Sequence, residues 1–188
     1  MAIQFGRVDD RRLAAIASAA ADAPFSYAEV GETAGHLPSG YRHDRYHVDL
    51  GSHPDAFTRA CEGLRRWEAH RRAGARVAPV DAPLEVGTTV AIAVDVSFAT
   101  VIAPCRIVYV SDDLQRFGYA YGTLRGHPER GEAAFHVVSS PEGTRFEIVS
   151  FSRPVHPLAR IGRPLGRRVQ RAVTRRYLEA LRAFVAEG

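Results

Sequence analysis

The chain contains no lysine, and all 25 of its basic residues are arginine. This excludes Schiff-base catalysis, a phosphate-loop lysine and kinase chemistry, each of which needs a lysine amine. Cysteine is nearly as scarce, with only Cys61 and Cys105. Two thiols cannot form a disulfide framework or a four-cysteine zinc site, and both sit among apolar neighbours as small core residues. An unbroken apolar run of membrane-spanning length is also missing. The longest candidate, Val90 to Val110, is interrupted by Asp95, Pro104 and Arg106, charges that hydrocarbon penalises. Its alternation fits two strands. The N-terminal stretch MAIQFGRVDDRR has neither the apolar segment nor the cleavage site of a signal peptide, and a cytoplasmic location without membrane insertion is expected. Ser139, Ser140 and Ser152 lie in no Gly-x-Ser-x-Gly context, and there is no phosphate loop or dinucleotide fingerprint.

The 188 residues predict one domain over 1–188, since chains split mainly beyond about 250 residues. No repeat or Gly/Ser linker divides them. A first helix is expected from Asp10 to Ala21, with Leu13, Ile16 and Ala20 as its apolar stripe. Tyr41 to Leu50 alternates as a strand. A second helix, capped by Ser52 with Asp55 three residues on, carries Phe57, Cys61, Leu64 and Trp67 on one face and ends near Gly74. Strands follow from Val90 to Phe98, from Val101 to Val110, around Phe117, Tyr119 and Tyr121, and from Ala133. The last of these turns through Ser140-Pro141-Glu142-Gly143 into Thr144 to Arg153. From Pro164 onward Leu165, Val169, Val173, Tyr177, Leu181 and Phe184 recur at helical spacing. The order predicts an α+β fold in which a curved antiparallel sheet grips a long C-terminal helix, because a sheet of that size needs its apolar face covered.

Charge is unevenly placed. From Arg153 to Gly188 nine arginines face two acids, a balance of +7, and the rest of the chain carries −3. A basic terminal helix attracts anionic lipid or nucleic acid. No recognised nucleic-acid module is present, and Gln170 is the helix's one base-reading amide. Specific nucleic-acid binding is therefore not expected.

The stretch from Tyr119 to Glu132 is dense in glycine. Gly122 within a strand marks a bulge or a close backbone approach. Three pieces of sequence carry a resemblance: Tyr121-Gly-Thr-Leu-Arg-Gly-His-Pro-Glu129 with Gly131-Glu132, Phe151-Ser-Arg-Pro154, and Gln170 with Arg176-Tyr177-Leu178 and Ala180-Leu181. Gly40-Tyr41, Trp67-Glu-Ala-His70 and Pro104-Cys-Arg106 echo it more weakly. On these the chain resembles the domain of unknown function 1990 family. It departs from that pattern at Arg125, where proline is expected, and at Ala133, where a second glutamate is expected. The resemblance implies a relation to START-like, helix-grip ligand-binding proteins and no established reaction.

The residues themselves leave three functions open. The first is binding of a small apolar or amphipathic molecule between sheet and final helix, lined by Tyr119, Tyr121 and Tyr177 and anchored by Arg106 or Arg153. The second is an acid–base enzyme in the same cavity (a cyclase, isomerase or hydrolase) using His127, Glu129 or Glu132. The third is a weak anionic-lipid or nucleic-acid binder acting through the basic helix. Neither a metal nor a cofactor is expected; His43 and His47, four apart on a strand, stand about 13 Å from each other. Arg106, His127, Glu129, Glu132 and Arg153 are expected to gather at one end of the sheet, as an ion-pair network or as a site.

Overall fold

The computed structural model describes residues 3–96, 98–155 and 163–187, with side chains from 170 onward in the final helix. Eight strands form one antiparallel sheet: β1 (Ile3–Phe5), β2 (Arg42–Gly51), β3 (Ala75–Ala78), β4 (Thr89–Val96), β5 (Ala99–Asp113), β6 (Arg116–Thr123), β7 (Glu129–Ser140) and β8 (Gly143–Pro154). Their order is β2-β8-β7-β6-β5-β4-β3, with β1 on β5. The helices are α1 (Asp10–Ala19), α2 (Ala56–Arg65), α3 (Glu68–Arg71) and α4 (Arg163–Ala186), and a 3-10 turn spans Glu32–Ala34.

The strand period of two divides the residues between the faces. Tyr46 and Val48 of β2, Val90 and Ile92 of β4, Cys105 and Ile107 of β5, Phe117 and Tyr119 of β6, Phe135 and Val137 of β7, and Phe146 and Ile148 of β8 point to the concave side. There they meet α2, α3 and the Tyr177, Leu178, Leu181 and Val185 stripe of α4. Val173 and Phe184 pack at the margin of this core. Leu165 and Val169 lie outside the described side chains. The curved sheet closing on a C-terminal helix is the helix-grip, START-like arrangement.

The convex face is covered as well. Val8, Leu13 and Ala17, on and just before α1, pack on Ala78, Ala91, Ala93 and Ile102. Asp9 caps α1 by accepting from the Arg12 amide at 2.7 Å. A strap following α1 lays Tyr27 and Leu37 against Phe151.

One predicted element divides. The single helix expected from Ser52 to Gly74 breaks at Trp67, whose φ of 59° is left-handed. The indole is 1% exposed and its Nε1–H donates to the Ala82 carbonyl at 2.9 Å. Burying that ring outweighs a backbone cost of about 1–3 kcal/mol. The Ser52–Asp55 capping box does not form; Asp55 is the first flanking residue, and its amide donates to His53 Nδ1 at 3.3 Å.

Candidate functional site between the sheet and the final helix

The interior between β6, β7, α3 and α4 is aromatic with a polar centre. β6 turns Tyr119 and Tyr121 inward, β7 adds Phe135, and α4 adds Tyr177. The break at Trp67 swings α3 so that His70 faces the same space. The His70 ring centroid lies 4.4 Å from that of Tyr177, 5.0 Å from Phe135 and 5.2 Å from Trp67. His70 is fully buried, and its Nε2 stands 3.3 Å from the Tyr121 hydroxyl. Burial, with a smaller push from Arg71, lowers its pKa to about 3, so the ring is neutral. With the ring N–H on Nε2 toward Tyr121, Nδ1 is a bare acceptor, and it has no partner among the described residues. The buried Tyr119 hydroxyl also has none. Desolvation raises the phenols of Tyr119, Tyr121 and Tyr177, which remain donors.

Toward the end of the strands where α4 begins, the same face becomes polar. The Arg42 guanidinium donates to Asp44 at 2.7 Å, to Ser152 at 3.0 Å and to the side-chain carbonyl of Gln170, and it stands 3.8 Å from Glu129. Gln170 Nε2 donates to Glu129 at 3.0 Å. Arg42, Asp44, Tyr46, Ser150, Gln170 and Thr174 line a cleft of about 10 Å³, room for one water.

The expected polar cluster is divided between places. Glu129 belongs to the concave group just described. Arg106 and Glu132 lie on the convex face, in one cross-strand row with Gly122 between them. The Arg106 guanidinium donates to the carbonyls of Ala20 and Ala21 at 3.0 and 2.6 Å, and to Thr89 at 3.0 Å. It thus neutralises the C-terminal end of α1 instead of facing the sheet–helix space. Glu132, 2% exposed, accepts from the Tyr27 hydroxyl at 2.6 Å, from the Gly31 and Thr33 amides at 2.7 and 3.1 Å, and from the Thr33 hydroxyl. Its partners are the strap's neutral donors, not an arginine. His127 sits in the β6–β7 connection, where its Nδ1 accepts from the Glu129 amide at 2.9 Å; burial lowers its pKa to about 4. Arg153 is exposed, its guanidinium 4.6 Å from the Tyr41 ring centroid. The reason is parity: β5 is apolar on both faces because both faces are covered, so apolar neighbours did not mark which side Arg106 takes.

His70 and Arg42 were not singled out from the sequence as site residues. Their only signal was the Trp67-Glu-Ala-His70 echo and, for Arg42, the partner Gln170.

The profile of the family described as "Domain of unknown function (DUF1990)" matches residues 26–180. The chain belongs to the DUF1990 family. A UPF0548 protein of Dictyostelium discoideum is 30% identical over 145 residues, 70% of this chain and 67% of that protein. Two solved structures share the fold of this DUF1990 chain. Ara h 8.0201 superposes with a TM-score of 0.52 at 10% identity over 79% of this chain and all of that one. StfQ, a di-domain ARO/CYC from the steffimycin biosynthetic pathway, does so with 0.54 at 15% over 78% of this chain and 52% of that one. The DUF1990 match takes in the strap, His70, the β6–β7 motif and Tyr177 together.

Proposed function

We propose that this DUF1990 protein binds a small apolar or amphipathic molecule between the concave face and α4. The observation that carries the reading is the pair of unpartnered polar atoms, His70 Nδ1 and the Tyr119 hydroxyl, inside an otherwise aromatic interior. Buried polar groups are nearly always hydrogen-bonded, and two unpaired polar atoms lining one interior suit a ligand hydroxyl or carbonyl. The polar end at Arg42, Glu129 and Gln170 suits a hydrophilic head.

A second reading, an acid–base enzyme, gains from one observation: His70 and Tyr121 form a buried imidazole–phenol contact. The likeness to an ARO/CYC is compatible with it. In that version His70 moves the proton, since His127 and Glu132 are committed to the β6–β7 turn and the strap.

Native mass spectrometry of the purified protein is expected to show an added small-molecule mass that denaturing conditions remove, and the purified protein is expected to enhance anilinonaphthalene sulfonate fluorescence. Ala133→Trp, which fills the half-buried position between Tyr121 and Ser150, should abolish the dye signal with the melting transition retained. Absence of both an added mass and dye binding in the wild type would overturn the reading.

A further inference from the structure

The residues at one end of the strands form a surface of unusual chemistry. Six arginines and no acid occupy α4 from Arg163 to Arg176, whereas Glu179, Arg182 and Glu187 alternate beyond it. Arg171, Arg175 and Arg176 are exposed. Among the described residues no acid lies in ion-pair range of these three, while Arg182 pairs with Glu179. Elsewhere on the helical layer Arg66 is matched with Glu62 and Arg72 with both Glu68 and Glu187, while Arg59 and Arg71 donate to the backbone carbonyls of Val185 and Val80.

Two bare aromatic rings stand at the same end. Phe98 in the β4–β5 turn is 74% exposed and Phe5 of β1 is 81% exposed; their rings are parallel within 4°, centroids 6.2 Å apart. Strand register puts them at the end where α4 starts. Val90 pairs with Cys105, Cys105 with Thr123, and beyond that row β4 and β5 run on to the Val96–Ala99 closure. From Gly122 the row passes through Glu132 and Phe151 to His43, so the start of β2 and the exit of β8 share this end. Val155, just past β8, is 40% exposed. Arg7, 79% exposed, and the exposed Arg125, Arg130 and Arg153 add positive charge, against Asp95 and Asp10, which Arg7 and Arg76 hold, Glu129, which Arg42 faces, and Glu29 near Arg153.

Water penalises exposed phenyl rings, and the headgroup region of a bilayer takes up aromatic side chains on otherwise polar surfaces. Arginines near an anionic leaflet are attracted within a Debye length. We propose that this end of the molecule docks on an anionic bilayer surface, with Phe5 and Phe98 entering the headgroup region and the first half of α4 facing the lipid phosphates. Nucleic acid fits less well, because the two rings stack on each other and the helix offers little base-reading chemistry. The docking does not depend on a bound ligand. If the ligand reading also holds, the Arg42–Gln170 cleft lies at the same end, and its widening on the bilayer would let an amphipathic molecule pass to the interior without crossing open water.

The test is flotation of the full chain with vesicles of phosphatidylcholine alone or with about 30 mol % phosphatidylglycerol, at about 0.1 M and 0.5 M salt. Partition is expected to be at least about tenfold stronger on the anionic vesicles and to fall at high salt. Phe5→Ser with Phe98→Ser, and separately Arg175→Glu with Arg176→Glu, should each weaken it about tenfold, with circular dichroism and melting unchanged. Equal partition on both vesicle types would overturn the proposal. So would undiminished partition of the Phe5→Ser, Phe98→Ser double variant, tighter binding to a mixed-sequence oligonucleotide than to the anionic vesicles, or a solution dimer that buries the two rings. Dye binding by the interior is a separate readout, so either result stands without the other.

Discussion

Glu132 is a carboxylate placed where an apolar residue would be the rule, on a sheet face closed over by its own chain. Four donors from the strap surround it, and charge-assisted bonds of this kind are individually stronger than neutral ones. Gly122 beside it makes the arrangement possible: a Cβ there would stand 2.2 Å from the Tyr27 hydroxyl and 2.9 Å from the Phe25 ring. Glu132→Gln turns an amide toward donors that need an acceptor and is expected to cost about 2–4 kcal/mol. Gly122→Ala should cost about 1–3 kcal/mol by lifting the strap. Thermal melting checks both, and neither should alter dye binding by the interior. His70, His127 and His136 are each held neutral by burial, with pKa values lowered to about 3, 4 and 4. An unfolded histidine titrates near 6.5, so between that value and the folded one the unfolded chain binds more protons. Stability is then full above about pH 6.5 and lost as pH falls, by about 1.4 kcal/mol per pH unit for each such residue. Urea titrations at pH 7 and about pH 5 should show the loss, and His70→Phe should reduce it.

At the scale of elements, α4 is held by close approach. A Cβ on Gly63 of α2 would come within 2.7 Å of Leu181 and 2.8 Å of Phe184, so the two helices meet where one has no side chain. Leu181→Ala, at a fully buried position, is expected to lower stability by about 2–5 kcal/mol, whereas Val173→Ala, at the half-buried margin, should cost clearly less. Chemical denaturation distinguishes the two. The helix stripe at Tyr177 and Leu181 and the strands from β4 to β8 were legible because period and burial agree there. β1 and β3 were not, since three or four residues carry too little period to read. The break in the second helix was hidden for a different reason. Phe57, Cys61, Leu64 and Trp67 keep helical spacing right up to the break, and only the indole's tertiary bond to Ala82 decides that Trp67 turns left-handed.

For the whole molecule, the α+β architecture could be read from element order, but the site could not be read from residue type. Arg106 and Glu132 looked like partners lining a cavity because both sit in apolar surroundings; a sheet covered on both sides makes apolar surroundings uninformative about direction. The concave group of His70, Tyr119, Tyr121 and Tyr177 needed α3 and α4 in place before it existed, since its other members lie 49 to 107 residues from His70 in the chain. Those distances also bear on the strap. Tyr27, Gly31 and Thr33 reach Glu132 across 105, 101 and 99 residues of chain, yet among the described residues the strap joins the sheet ladder only through the bridge from Phe25 to Leu124. It can therefore detach as a unit with every strand pair left intact. Native-state hydrogen exchange should find the amides of Gly31 and Thr33 opening together, at a free energy well below that of the β6–β7–β8 ladder. Two backbone protons would then report whether the outer coat of this sheet is on or off while the grip on α4 holds.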